Sequence, residues 1–199
     1  MATFGNAETI AGTASTLTSD SGMNATDALG CKFTTPSDCT SITSLTAYCT
    51  PPSGGQGLKA CVWASDGSLV TNGVSTARSA LPNTADYYTF TFATPPTVSA
   101  STVYYFGFVI EYAWAFYYKA GAANQQRYDS VNSYTTPTTL GTDGQDAQED
   151  AWYMTYTPSV GSTDISISAD LEAAYGQMKT LDVLEGGHWI EHRTSKVIF

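Results

Sequence analysis

Thr102–Lys119 reads TVYYFGFVIEYAWAFYYK, and the rest of the chain has to cover it. Its even positions carry Tyr104, Phe106, Phe108, Ile110, Tyr112, Trp114, Phe116 and Tyr118. Its odd positions carry Val103, Tyr105, Gly107, Val109, Glu111, Ala113, Ala115, Tyr117 and Lys119. Aromatic and β-branched residues at a period of two predict strand, one face of it fully buried. Strands average about 5–6 residues. The run therefore divides into two strands, 102–110 and 115–119, around a turn near 111–115, with Trp114 expected at its tip. A membrane span does not fit, because Glu111 interrupts a run already far short of the ~20 apolar residues required. A sheet with one aromatic face needs a second layer over that face.

The remaining chain offers that layer as short alternating segments. They are Phe4–Ile10, Gly30–Thr35, Ile42–Cys49, Leu58–Ser65, Ser68–Thr71, Tyr87–Phe92 and Trp152–Thr157. Pro51-Pro52 and Pro95-Pro96 break the chain between them, and Asp66-Gly67 is a hairpin-turn dipeptide. Residues 120–150 read as a long polar loop. The prediction is an all-β chain: an antiparallel β-sandwich or jelly roll of about eight strands over residues 1–158.

Charged residues make up only 13% of the 199 residues, about half of what is usual. Solubility must then come from Ser, Thr, Asn, Gln and Gly, which suits an exposed β-protein better than a metabolic enzyme. The formal net charge of −10 opposes binding to nucleic acid or anionic membranes, since both rest on clustered Lys and Arg. The N-terminus has neither the basic nor the apolar region of a secretion signal, so either a signal has been removed or the protein is made in the cytoplasm and used there or released by lysis, and Met1 at the start favours the second. Cys31, Cys39, Cys49 and Cys61 match no zinc-site spacing. Buried thiols and disulfides both remain open for them, with three full pairings allowed.

In order, GCKFT (30–34), SITSLTAY (41–48), LKACVWASDGSLV (58–70), YYTFTFATPPTVSASTVYYFGFV (87–109), FYYKAG (116–121), NQQRYDS (124–130) and WYMTYTP (152–158) resemble a β-sandwich domain. That domain is found in phage virion proteins and in bacterial surface or secreted proteins, and it is similar in architecture to carbohydrate-binding modules. The resemblance spans residues 3–158. It implies a two-sheet fold, display on a capsid or tail, and no catalytic residue.

After Pro158 the texture changes. Ser168–Leu181 carries Leu171, Ala174, Tyr175, Met178 and Leu181 at helical spacing, with Ser168 as its N-cap. Gly186-Gly187 breaks the chain, and residues 188–199 read as extended. Residues 159–199 are too few for a core of their own, yet Leu181, Leu184, Trp189, Ile190, Val197, Ile198 and Phe199 are too apolar for a free tail. They are the candidate partner-binding residues, toward other virion proteins or a second copy; the alternative is a lid over one edge of the chain's own sandwich.

Three constellations carry chemistry. His188-Trp-Ile-Glu191-His192 matches the H-x-x-E-H metalloprotease pattern. It follows Gly-Gly and has no acidic residue after it, so an extended segment is expected instead. With two histidines in the chain, a Ser-His-Asp reading is starved as well. Asp143, Asp146, Glu149 and Asp150 form an acidic group whose oxygens suit Ca²⁺, although the spacing is not that of an EF-hand; no other cofactor is implied. Trp114, Tyr117 and Tyr128 offer flat rings on which sugar C–H faces stack, and Asn124, Gln126 and Asp129 offer partners for hydroxyls. Trp114 is the expected exposed anchor. The functional expectation is a non-enzymatic virion structural protein, a capsid decoration or tail-associated protein, at the virion surface after assembly in the host cytoplasm. The alternative is a carbohydrate-binding module of a secreted or surface protein.

Overall fold

The 102–119 run forms two strands, as its alternation predicts, but they belong to different sheets. β8 (Val103–Ile110) lies in a six-stranded sheet and β9 (Ala115–Ala120) in a seven-stranded one. The link between them is a crossover rather than a hairpin turn, and Trp114 enters the core. The computed structural model describes residues 1–6, 18–20, 27–52, 57–111, 114–159, 181–185 and 188–192. The chain divides into two units, Met1–Gly161 and Ser162–Phe199.

In the first unit the seven-stranded sheet runs β1 (Ala2–Gly5), β13 (Trp152–Pro158), β4 (Cys39–Thr50), β9 and β12 (Gln148–Asp150). Two more strands join it: β7 (Asp86–Thr91) on β4, and β2 (Thr18–Asp20) on β9. The six-stranded sheet runs β11 (Gly144–Asp146), β10 (Gln126–Asp129), β3 (Ala28–Thr34), β8, β5 (Leu58–Ala64) and β6 (Leu69–Val74). Pairing is antiparallel throughout, and the two sheets form an all-β sandwich. There are more strands than the eight expected. The supposed polar loop 120–150 itself supplies β10, β11 and β12, which polar side chains on edge strands disguised. No helix occurs among the described residues. The predicted helix 168–181 lies outside them, apart from Leu181, which opens a strand.

The inner faces meet around Phe108 of β8. Its ring centroid lies 5.1 Å from Phe90 of β7, 5.2 Å from Phe116 of β9 and 5.3 Å from Trp152 of β13. One ring of the smaller sheet thus bridges three strands of the larger, mostly edge-on, the geometry that aromatic quadrupoles favour.

β8 is buried on its other face too. Tyr105 and Val109 join Ala28, Cys61, Trp63 and Leu140 in a second apolar cluster. The cover is a strap, residues 130–143, laid over the outer side of the six-stranded sheet. Trp63 Nε1 donates to Thr138 O at 2.8 Å, and Leu140 N donates to Gly67 O at 2.9 Å. Gly30 and Gly107 pair across β3 and β8, and a Cβ on Gly30 would lie 2.8 Å from Leu140 Cδ2. Gly30 leaves the space that Leu140 fills, while the missing side chain of Gly107 lets the β3 backbone at Leu29 and Gly30 approach.

All four cysteines are buried and free, which decides between thiols and disulfides. Burial is the first cause of their suppressed acidity. Cys39 is pushed up to about 11, and Cys31, Cys49 and Cys61 are raised as well. Since the thiolate is the reactive species, the folded protein should leave Ellman's reagent nearly unreacted and release four equivalents after guanidinium denaturation. A fast equivalent in the native state, or fewer than four after unfolding under non-reducing conditions, would contradict this arrangement.

In the second unit, β14 (Leu181–Glu185) pairs with β15 (His188–His192) as an antiparallel hairpin, Glu185 opposite His188. The extended reading of 188–192 is therefore observed. On a strand, His188 and His192 are about 13 Å apart at roughly 3.3 Å per residue. A zinc site of the H-x-x-E-H kind needs them on adjacent turns of one helix, so the hairpin does not form it. Leu181, Leu184, Trp189 and Ile190 lie in these strands; Val197, Ile198 and Phe199 lie outside the described residues.

Candidate functional site: the outer tyrosine face

The sugar-binding set expected from the sequence does not come together. Trp114 is 1% exposed and part of the main core, because the crossover turns it inward. Its indole N–H, like that of Trp152, has no hydrogen-bond acceptor among the described residues. Gln126 is buried, and its Nε2 donates to Asp150 Oδ1 at 3.0 Å. Asp129 is buried as the clamp of the strap. Its carboxylate accepts from Val131 N at 3.0 Å, Asn132 Nδ2 at 3.1 Å and Gly141 N at 2.8 Å. Tyr128 is exposed but lies on β10, its ring against Gly144 of β11. Asn124 is exposed at a positive φ of 57°, a loop conformation that Asn tolerates. Of the six, Tyr117 alone lies on a surface that gathers aromatic rings.

The acidic group is dispersed in the same way. Asp143 Oδ2 accepts from Ser130 N at 2.8 Å and from Ser130 Oγ at 2.5 Å. Those bonds hold the Asp143 carboxyl below its usual range. Asp146 is exposed on β11. Glu149 pairs with Lys119 at 3.2 Å, and Asp150 is fully buried against Gln126. Among the described residues no three His, Cys, Asp or Glu side chains converge as a metal site would require. Alternation is the cause, since residues 149 and 150 of one strand face opposite ways.

The same alternation builds a site that the loops do not. On β4, Leu45, Ala47 and Cys49 enter the core, so Ser44, Thr46, Tyr48 and Thr50 take the outer face. On β7, Tyr88 and Phe90 go in and Tyr87 and Thr89 out. On β9, Phe116 goes in and Tyr117 out, and on β13 Tyr153 sits out between Trp152 and Met154. Tyr48 is directly opposite Tyr87 in register, and the two ring centroids are 4.8 Å apart at 56°. Tyr117 lies 4.8 Å from Tyr48 on the other side, at 65°. Three half-buried rings thus cross three strands as a row.

Hydroxyls flank the row. Thr50 Oγ1 is 3.2 Å from Tyr117 Oη, and Thr46 Oγ1 is 2.8 Å from Thr89 Oγ1. Partial burial, then the Tyr117 phenol and the Asp86 carboxylate, raise the Tyr48 phenol above its ordinary value. Partial burial, then Tyr48, Tyr153 and Asp86, raise Tyr87. Tyr48, Tyr87 and Tyr153 are not among the residues expected from the sequence, since they lie within strands rather than in the loops. The signal was nevertheless present as the off-beat positions of ITSLTAYC, YYTFTF and WYMTYT.

No protein-family model matches this chain, and neither does any curated protein.

Two measurements follow from these positions. Trp114→Ala should cost about 3–5 kcal/mol of stability through the core cavity it leaves. Asp129→Ala should cost about 1–3 kcal/mol through amides stripped of their acceptor. Denaturant melts of both variants read these losses, and a Trp114→Ala protein as stable as the parent would contradict the buried placement. The second is an alkaline titration of phenolate absorbance, taken as the difference between the parent and Tyr48→Phe. The folded Tyr48 pKa lies above its unfolded value of about 10, so its contribution to stability is full below that value and is lost as pH rises through the folded pKa. The difference titration should accordingly have its midpoint above that of free tyrosine.

Proposed function

We propose that this chain is a non-enzymatic structural protein of a virion, a capsid-decorating or tail-associated sandwich held in the particle through residues 159–199. The observation that carries the reading is the use to which the sandwich puts its chemically capable side chains. Asp129 clamps the strap, Asp143 holds Ser130, and Gln126 is bonded to Asp150 between the sheets. Glu111 Oε2 accepts from Gly57 N at 2.6 Å. Groups committed to backbone amides and to each other leave a surface, rather than a reactive cleft, as what the fold offers. The order of strand phrases resembling virion and surface-protein sandwiches supports the same reading. So do four buried free thiols, which suit assembly in a reducing cytoplasm.

A second reading, a carbohydrate-binding module, is favoured by the Tyr87–Tyr48–Tyr117 row. It is compatible with the first, since a displayed sandwich can also grip glycans.

Light-scattering mass after size exclusion tests the attachment role, on the full chain and on a chain ending at Ser159. Assembly of the full chain and a monomeric, β-folded short chain are the expected pair. Two clean monomers would remove the attachment role.

A further inference from the structure

Four partly exposed phenols on one sheet face offer a surface to a ligand, and three features of the face narrow its chemistry. The first is charge. Lys119 is neutralised by Glu149. Arg78 Nη1 donates to Thr89 O at 2.7 Å while its guanidinium lies over the Tyr88 and Phe90 rings, so it too is engaged. Asp86 sits close enough to act on both Tyr48 and Tyr87, and the chain as a whole carries a net charge of −10. An anionic partner would meet repulsion, with no free cation among the described residues of this face to offset it.

The second feature is polarity. The accessible groups between and beside the rings are the neutral hydroxyls of Thr89 and Thr50 and the phenols themselves, which both donate and accept, while Thr46 is buried and bonded to Thr89. The third is tilt. Neighbouring rings in the row stand at 56° and 65° to each other. A flat crystalline surface can lie against several rings only when they share a plane. Tilted rings instead fit a single chain that turns from one unit to the next, each ring taking a different unit.

We propose that the row Tyr87–Tyr48–Tyr117, with Tyr153 beside it, is a platform for single, uncharged polysaccharide chains lying across the strands. The proposal rests on the carbohydrate-binding reading and names its ligand class. The rings stack on sugar C–H faces, and the threonine and tyrosine hydroxyls meet sugar hydroxyls.

Affinity electrophoresis of the full chain tests it, in native gels cast with hydroxyethyl cellulose, xylan or glucomannan on one side and alginate or hyaluronan on the other. A pull-down on crystalline cellulose accompanies the gels. Retardation by at least one of the neutral soluble chains is expected, with none by the acidic chains and no retention on the crystalline surface. Tyr48→Thr and Tyr117→Thr keep strand-forming residues and should each weaken retardation at least about tenfold. Val131→Ser, on the exposed strap, should leave it unchanged. Equal binding of acidic chains, retention on crystalline cellulose, or neutral-chain binding that survives both tyrosine changes would overturn the platform while leaving carbohydrate binding standing. Retention by no polysaccharide in the panel would overturn both.

Discussion

A strand that is apolar on both faces must be covered twice, and β8 is such a strand. Phe106, Phe108 and Ile110 face the other sheet, and Tyr105 and Val109 face away from it. An antiparallel sandwich ordinarily leaves the outer face of each sheet to water. Here the strap covers β8 on the outer face of the six-stranded sheet, and Leu140 sits over Gly30. Burial of one leucine contributes only about 1.5–3 kcal/mol, so the strap depends on its polar ties as well. That dependence explains why Asp129, Arg127 and Asn132 are buried. Arg127 Nε donates to Gly141 O at 2.6 Å, and Asn132 Nδ2 donates to Thr139 O at 3.0 Å.

Period-two alternation carried most of the fold. It located β3, β4, β5, β7, β8, β9 and β13 to within a few residues, though it expected β8 to be buried on one face where both are. It could not tell whether two successive strands are joined by a hairpin or by a crossover, because the flanking patterns are alike. Trp114 was misplaced for that reason. Nor could it separate a polar strap from a free loop. Leu140 is the strap's fully buried apolar anchor, with Tyr134 partly buried against the same cluster, and the space Leu140 fills is written about a hundred residues earlier at Gly30.

The candidate site was legible in a different sense. Polar residues near strand ends were read as groups waiting for a ligand, yet buried amides need acceptors first, and Asp129 and Gln126 serve that need. The exposed face was the complement of the core register. Once Leu45, Ala47 and Cys49 are inside, Tyr48 has to be outside, and the same rule sends Tyr87, Tyr117 and Tyr153 out. A hydroxyl-rich, cation-poor aromatic face on the sandwich is compatible with both the display and the binding proposals.

The row of rings runs across β7, β4 and β9 rather than along any one of them, and this has a mechanical consequence. A ligand seated on the row and pulled would load three hydrogen-bonded strands together. The backbone ladders between them, Tyr48 with Tyr87 and Cys49 with Phe116, would share the force as parallel links and not open one after another. A grip anchored on one loop would fail at the loop; a grip spread across registers fails only when the sheet shears.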